Sequence, residues 1–348
     1  MAAVALLRRH LFSSAFNSLL TVVTTALLGF VAVRIVRWAI LTATVGGSSQ
    51  AACTGGGACW TFIRLRLPVL LFGHYPPEEA WRLAIAVLLL LSLFGIPALP
   101  AVLRRRGLWL VVPVVVLIAS GVLLVGGVAG LPFVDTDLWG GLMLNVVVTV
   151  LVTILALPLG VALALGRQSP LPVLRSVSIC YIEFWRGLPL LAVLFVSAVM
   201  APLFMPHGVS LSRLVRAVAA MGLFNAAYMA EIVRGGLQGL DIGQDEAAAS
   251  LGLRPWQSDL LVRLPQALRQ SIPGLVNTVI DLFKDTTLLS IIGLYELLGS
   301  VSQSLRDPAW LGLSTEGFTF AATVFFVCCF AISLYTRRLE RAPGRGRR

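Results

Sequence analysis

The chain has 348 residues, 58% of them hydrophobic and only 12% charged, with a mean hydropathy of +0.91. That composition excludes a soluble domain, which would not need so little charge, and points to an all-α integral membrane protein. The net charge of +11 does not signal nucleic acid, because the arginines stand at the ends of apolar runs, where cytoplasmic anchors are found.

A membrane-spanning helix needs about 20 apolar residues. Runs of that kind lie at roughly 18–41, 83–103, 108–130, 142–166, 179–205, 213–233, 272–298 and 318–336, which predicts about eight spans. Arg8, Arg9 and His10 precede a first run too long for a cleavable signal core, so that run is expected to stay as a span. Arg104 to Arg106, Arg167, Arg175 and the tail from Arg337 place both termini in the cytoplasm; Arg34, Arg37, Arg64, Arg66 and Arg82 fall outside, against the pattern.

The first block, 1–135, holds three spans and a polar outer loop, 42–82, too short to be a substrate-binding domain. Cys53 and Cys59 lie there in CTGGGAC, where an oxidising compartment permits a disulfide; a bridge and two free thiols are both open readings. Cys180, Cys328 and Cys329 sit in apolar segments and are expected to pack. His10, His74 and His207 are scattered, and no metal-ligand pattern or nucleophile–base pair is present.

The second block, 136–340, holds five spans and a charged loop, 241–265; residues 341–348 form a basic cytoplasmic tail. The loop contains EAAASLGLRPWQSDLLVRLP, which cannot lie in lipid. Two short helices are predicted, broken at Gly252 to Pro255: Gly252 can take the left-handed conformation that ends one helix, and Pro255 suits the first turn of the next. Within the spans, ionisable groups are costly and draw notice. Glu183 and Arg186 can share a helix face, Glu231 and Arg234 repeat that spacing, Lys284 and Asp285 follow Asp281 in the seventh span, and Asn225, Asn277 and Gln303 add polar contacts. An α-amino acid carries both charges, and these pairs supply both signs. They could equally pair with one another to hold spans together. Lys284 is the sole lysine beside 26 arginines, which suggests a need for a compact ammonium.

Four stretches resemble the polar amino-acid permeases of ABC importers. They are YIEFWRGLPLLAVLF at 181–195, AAYMAEIVRGGLQGL at 226–240, the loop at 241–265 and FKDTTLLSIIGLYEL at 283–297. The loop matches the family's EAA motif through Glu246, Ala247, Ala248, Gly252, Val262, Leu264 and Pro265; Val262 stands where Ile is usual, and Leu188 where Thr is common. Arg37-Trp38-Ala39, GACWTFI at 57–63 and FGHYPPEEAWR at 72–82 look like the M-type permease of general L-amino acid transporters. The resemblance implies a multi-pass protein of the bacterial inner membrane with a C-terminal five-helix type I importer core. It implies a related Q-type permease as heterodimer partner, a cytoplasmic ABC ATPase dimer docking on the loop, and a periplasmic amino-acid-binding protein, with membrane lipid around them.

No phosphate-binding loop precedes Lys284, so this chain is expected to bind no cofactor; ATP and Mg would be used by the partner ATPase. The function expected is import of L-amino acids from periplasm to cytoplasm, with Glu183, Arg186, Asn225, Glu231, Asp281, Lys284 and Asp285 as candidate pathway residues. An ion-coupled secondary amino-acid transporter is the competing reading; it would show broken helices in two matched halves and no docking loop.

Overall fold

The computed structural model describes residues 10–95, 108–128, 130–206 and 211–341. Arg104 to Arg106, His207 and the basic tail beyond Arg341 lie outside the described residues. Regular structure among the described residues is helical, with three isolated β-bridges. Contacts divide the chain into two units, one of 1–67 with 304–320, the other of 68–303 with 321–348.

In the first unit, α1 (Ala15–Val36) starts where Ser14 accepts a hydrogen bond from the Asn17 amide at 3.2 Å. None of its residues is buried by the chain, and it continues as a π-turn to Leu41. A helix apolar on all sides needs an apolar solvent. The loop that follows is stapled by a Cys53–Cys59 disulfide and leads into α2 (Trp60–Phe72). It is bound to segment 304–320: Gln50 donates to the Leu311 carbonyl at 2.7 Å, the Cys59 amide donates to Glu316 at 3.2 Å, and Phe62 packs on Trp310 with ring centres 5.7 Å apart. Arg66 pairs with Asp307.

The second unit begins with α3 (Ala80–Gly95) and α4 (Leu108–Val125). Arg82 is fully buried there: it donates twice to the Pro132 carbonyl at 3.0 Å, pairs with Glu79 at 3.3 Å and lies over the Tyr75 ring. Arg64 donates to the Gly47 carbonyl. Arg64, Arg66 and Arg82, which the sequence reading sets against the positive-inside pattern, thus each have a partner in the fold.

The core of this unit is the pair α5 (Gly141–Gln168) and α8 (Arg213–Gln238). Their faces are small and aliphatic: Ala156, Gly160, Ala226, Met229, Ala230 and Val233 are buried between them. A Cβ on Gly160 would stand 2.9 Å from the Met229 Cβ, so the two helices approach as closely as small residues allow.

The predicted span at 179–205 is not one straight helix. α6 (Pro172–Arg186) and the segment from Leu190 to Phe204, which opens as α7 (Leu190–Phe195), meet at 97°. The Gly187-Leu188-Pro189 sequence explains the break, since Pro lacks an amide and drives its predecessor out of the helical region. Beyond α8 come α9 (Gly243–Ser250) and α10 (Pro255–Ser258) of the charged loop. The run at 272–298 is also divided: α11 (Leu264–Asp285) tightens into a 3₁₀ segment to Ile292, and Gly293 turns the chain before α12 (Leu297–Ser304). The last helix is α13 (Ser314–Arg341).

By length and composition, three helices among the described residues can cross a membrane: Ala15–Leu41, Gly141–Gln168 and Ser314–Arg337. The bent pair makes a fourth if it is a single span.

Candidate functional site

The charged loop folds as two helices with a tight reverse turn. Asp241 opens it by accepting from the Gly243 amide at 3.0 Å. At the end of α9, the Leu253 amide bonds the Ala248 carbonyl at 3.1 Å and the Gly252 amide bonds Ala249 at 2.9 Å. This is the Schellman pattern, and Gly252 adopts φ +74° to make it. Pro255 then starts α10, with the Gln257 side chain accepting from the Arg254 amide at 2.9 Å.

Arg263 joins the two halves of this loop. It pairs with Asp245 at 3.3 Å and Asp259 at 2.6 Å, and reaches Gln168 at the end of α5 at 3.4 Å. Gln266 adds a bond to Gln244 at 3.0 Å. Ala248 faces inward and is buried, whereas Glu246, Ala247 and Pro265 are exposed. Val262 and Leu264 are half-buried. The loop presents large apolar groups to the outside: Ile242, Leu251, Trp256, Leu260 and Leu261. Leu251 is 80% exposed and Ile242 75%. Exposed apolar side chains gathered on a hydrophilic loop mark a contact surface.

Close to the loop lies a cluster of charges. Glu231 of α8 is its centre, with a side chain only 16% exposed. It meets Arg167 of α5 at 2.7 Å, Arg234 of its own helix at 2.6 Å and Arg186 of α6 at 3.8 Å. Arg167 also reaches Glu183 at 3.1 Å. The spacing of Glu183 and Arg186 predicts a pair, and the structure corrects it. Glu183 turns to Arg167, while Arg186 lies 5.8 Å over the Tyr228 ring beside Glu231. Arg186 ends α6, so its side chain is free to leave the helix face that Glu183 shares. The Glu231–Arg234 pair forms as the spacing predicts.

Asp281 and Lys284 form a separate pair at 2.8 Å on α11. The sequence sets Lys284 within an apolar run, yet its side chain is 55% exposed. The reason is a polar face on α11: Asn277, Asp281 and Lys284 follow at steps of four and three residues, Arg269 lies eight residues before Asn277, and all four are exposed among the described residues. Asp285 is half-buried. Asn225 faces inward instead, buried, and donates to the Met221 carbonyl of its own helix at 2.9 Å.

One polar centre escaped sequence reasoning. Asn145, Thr286 and Glu296 are fully buried together. Asn145 donates to Thr286 at 2.7 Å and to Glu296 at 3.1 Å, and accepts from the Leu297 amide at 3.0 Å. Glu296 caps α12 by accepting from the Leu298 and Gly299 amides, both at 2.8 Å. Asn145 was the one signal available, a lone amide in the apolar run MLNVVVTVL. This centre and Arg167 stand about 33 Å apart along α5, near its opposite ends.

No group of three or more His, Cys, Asp or Glu that could hold a metal occurs among the described residues. The chain is similar over 99% of its length, at 47% identity, to the inner membrane amino-acid ABC transporter permease protein YhdY of Escherichia coli (strain K12), 94% of which is covered. The profile of the binding-protein-dependent transport system inner membrane component matches residues 156–344. The chain belongs to the amino-acid ABC transporter permeases. A second relative, the glutamate/glutamine/aspartate/asparagine transport system permease protein BztC of Rhodobacter capsulatus, is 35% identical over 100% of the chain and 95% of its own length. The solved amino acid ABC transporter with histidines shares 29% identity and a TM-score of 0.52 over 58% of this chain and 92% of that one. This permease is an inner-membrane component of its importer and not the ATPase.

Proposed function

We propose that this permease moves L-amino acids inward, in an assembly whose ATPase docks on the loop at 241–265. The observation that carries the reading is that loop's surface, where Ile242, Leu251, Trp256, Leu260 and Leu261 stand exposed, as does Glu246, on two helices joined by a turn fixed by Gly252. Apolar anchors with a charged neighbour suit a groove on a partner: the anchors supply affinity and the charge sets register. ATP and Mg belong to that ATPase. A periplasmic binding protein delivers the substrate, as the family description implies.

The fold is read as eight spans with both termini in the cytoplasm. A three-span extension, 1–135, precedes a five-helix type I core, 136–340, and the tail 341–348 stays in the cytoplasm. The extension's loop, with its Cys53–Cys59 bridge, lies in the periplasm, which permits disulfides. The uncovered polar face of α11 cannot face lipid and belongs to a water-filled pathway or to a second, Q-type permease. Asp281, Lys284 and Asp285 offer both charges that an α-amino acid carries. Glu183, Arg186, Asn225 and Glu231 contribute nearer the cytoplasmic end. BztC's name points to glutamate, glutamine, aspartate and asparagine as the first substrates to assay.

The test is co-purification. Trp256→Asp and Leu261→Asp should each abolish retention of the ATPase on the tagged permease while membrane insertion stays normal. Full retention in both variants would contradict the docking role.

A further inference from the structure

The ion pairs at the inner end of α5 form a set that the docking loop alone does not explain. Arg167 is the member that bridges two carboxylates on two other helices, Glu183 of α6 at 3.1 Å and Glu231 of α8 at 2.7 Å. Its chain neighbour Gln168 takes a hydrogen bond from Arg263, which itself holds Asp245 and Asp259 of the docking loop. One helix end is therefore tied to the loop on one side and to two spans on the other. Pro158 lies within α5, nine residues before Arg167. It lacks the amide that would bond the preceding turn, so a swing of the last turns of α5 costs least at that point.

The charges are arranged so that such a swing leaves no bare ion. Glu231 has Arg234 at 2.6 Å and Arg186 at 3.8 Å in reserve when Arg167 withdraws. Arg167 in turn keeps Glu183, whose side chain is 56% exposed and able to follow it. A planar guanidinium with several donors can exchange partners in this way without ever losing both. Two discrete arrangements of one charged set are what a switching element requires.

We infer that Arg167 is a positioning residue that transmits movement of the docking loop to the inner ends of α6 and α8, by exchanging its bond to Glu231. This rests on the docking role of the loop proposed above. It predicts coupling between ATP hydrolysis and transport as the property that Arg167 controls, not assembly.

The whole importer, with ATPase and binding protein, is reconstituted into lipid vesicles, and substrate moved per ATP hydrolysed is measured with radiolabelled glutamate. Arg167→Gln should lower that ratio about five- to tenfold, the low end of coupling between sites, while ATP hydrolysis continues and the ATPase stays bound. Arg167→Lys should restore part of the ratio, since an ammonium holds one carboxylate at a time. An unchanged ratio in Arg167→Gln would overturn the inference. If that variant does not assemble, Arg167→Lys decides: a lowered ratio supports the role and a normal one refutes it. Glu246→Ala separates the two readings. If it leaves ATPase retention and uptake normal, the docking role fails, whatever Arg167 shows; if Glu246→Ala releases the ATPase and Arg167→Gln keeps a normal ratio, only the transmission role fails.

Discussion

Asn145→Ala should destabilise the permease sharply, although the site lies far from the docking loop. Three hydrogen bonds vanish with the amide. The bond to the Glu296 carboxylate, at 3.1 Å, is charge-assisted and contributes about 1.5–3 kcal/mol. The buried Leu297 amide loses its acceptor, a further cost of about 1–3 kcal/mol. Thr286 loses little, because its hydroxyl still donates to the Phe283 carbonyl at 2.6 Å. Taking the lower ends of both ranges gives about 2.5 kcal/mol, which corresponds to roughly 5–10 °C in Tm at about 2–4 °C per kcal/mol. Asn145→Asp should be worse, since it sets a second carboxylate against Glu296 where both are buried. The assay is thermal unfolding of the detergent-purified permease, followed by loss of monodisperse protein. A fall of less than about 2 °C in Asn145→Ala would refute the reasoning, for the knot would then add no more than a surface contact.

Three further outcomes follow from the same geometry. A Cβ at Gly252 meets no neighbouring atom, yet Gly252→Val forces a branched residue into φ +74°; it should release the ATPase while membrane abundance stays near normal, as judged by co-purification and blotting. Thiol labelling of denatured permease should find Cys53 and Cys59 blocked until a reductant is added, and Cys59→Ser should expose a single new thiol at Cys53. Lys284→Met removes the partner of Asp281 on the uncovered face of α11 and should cut uptake per assembled complex; Lys284→Arg should cut it too, because the planar head fills the space differently. Normal uptake in both Lys284 variants would leave that residue without a pathway role.

The sequence was most readable where structure is local. The turn at Gly252 to Pro255 follows from two residues whose backbone preferences end one helix and begin the next, and the structure builds it from two backbone bonds within six residues of chain. The Glu231–Arg234 pair is likewise one helical turn apart. What was hidden joins positions distant in the chain. Arg167 read as a membrane anchor because its partners, Glu183 and Glu231, belong to later helices. Glu296 stood inside a quoted motif, but nothing local couples it to Asn145 near the start of α5. The attachment of segment 304–320 to the stapled loop depends on contacts from Gln50, Cys59 and Phe62 that no periodicity encodes. Apolar run length overstated straightness as well: Pro189 and Gly293 interrupt runs that hydropathy alone joins.

The most direct test of the account is uptake by sealed vesicles holding the permease, its partner permease and the ATPase, with binding protein and labelled glutamate supplied on the face that was periplasmic. The account predicts accumulation only when ATP is present on the ATPase side, none with Gly252→Val, and no response to an imposed proton or sodium gradient. Gradient-driven accumulation without ATP or the ATPase would contradict it.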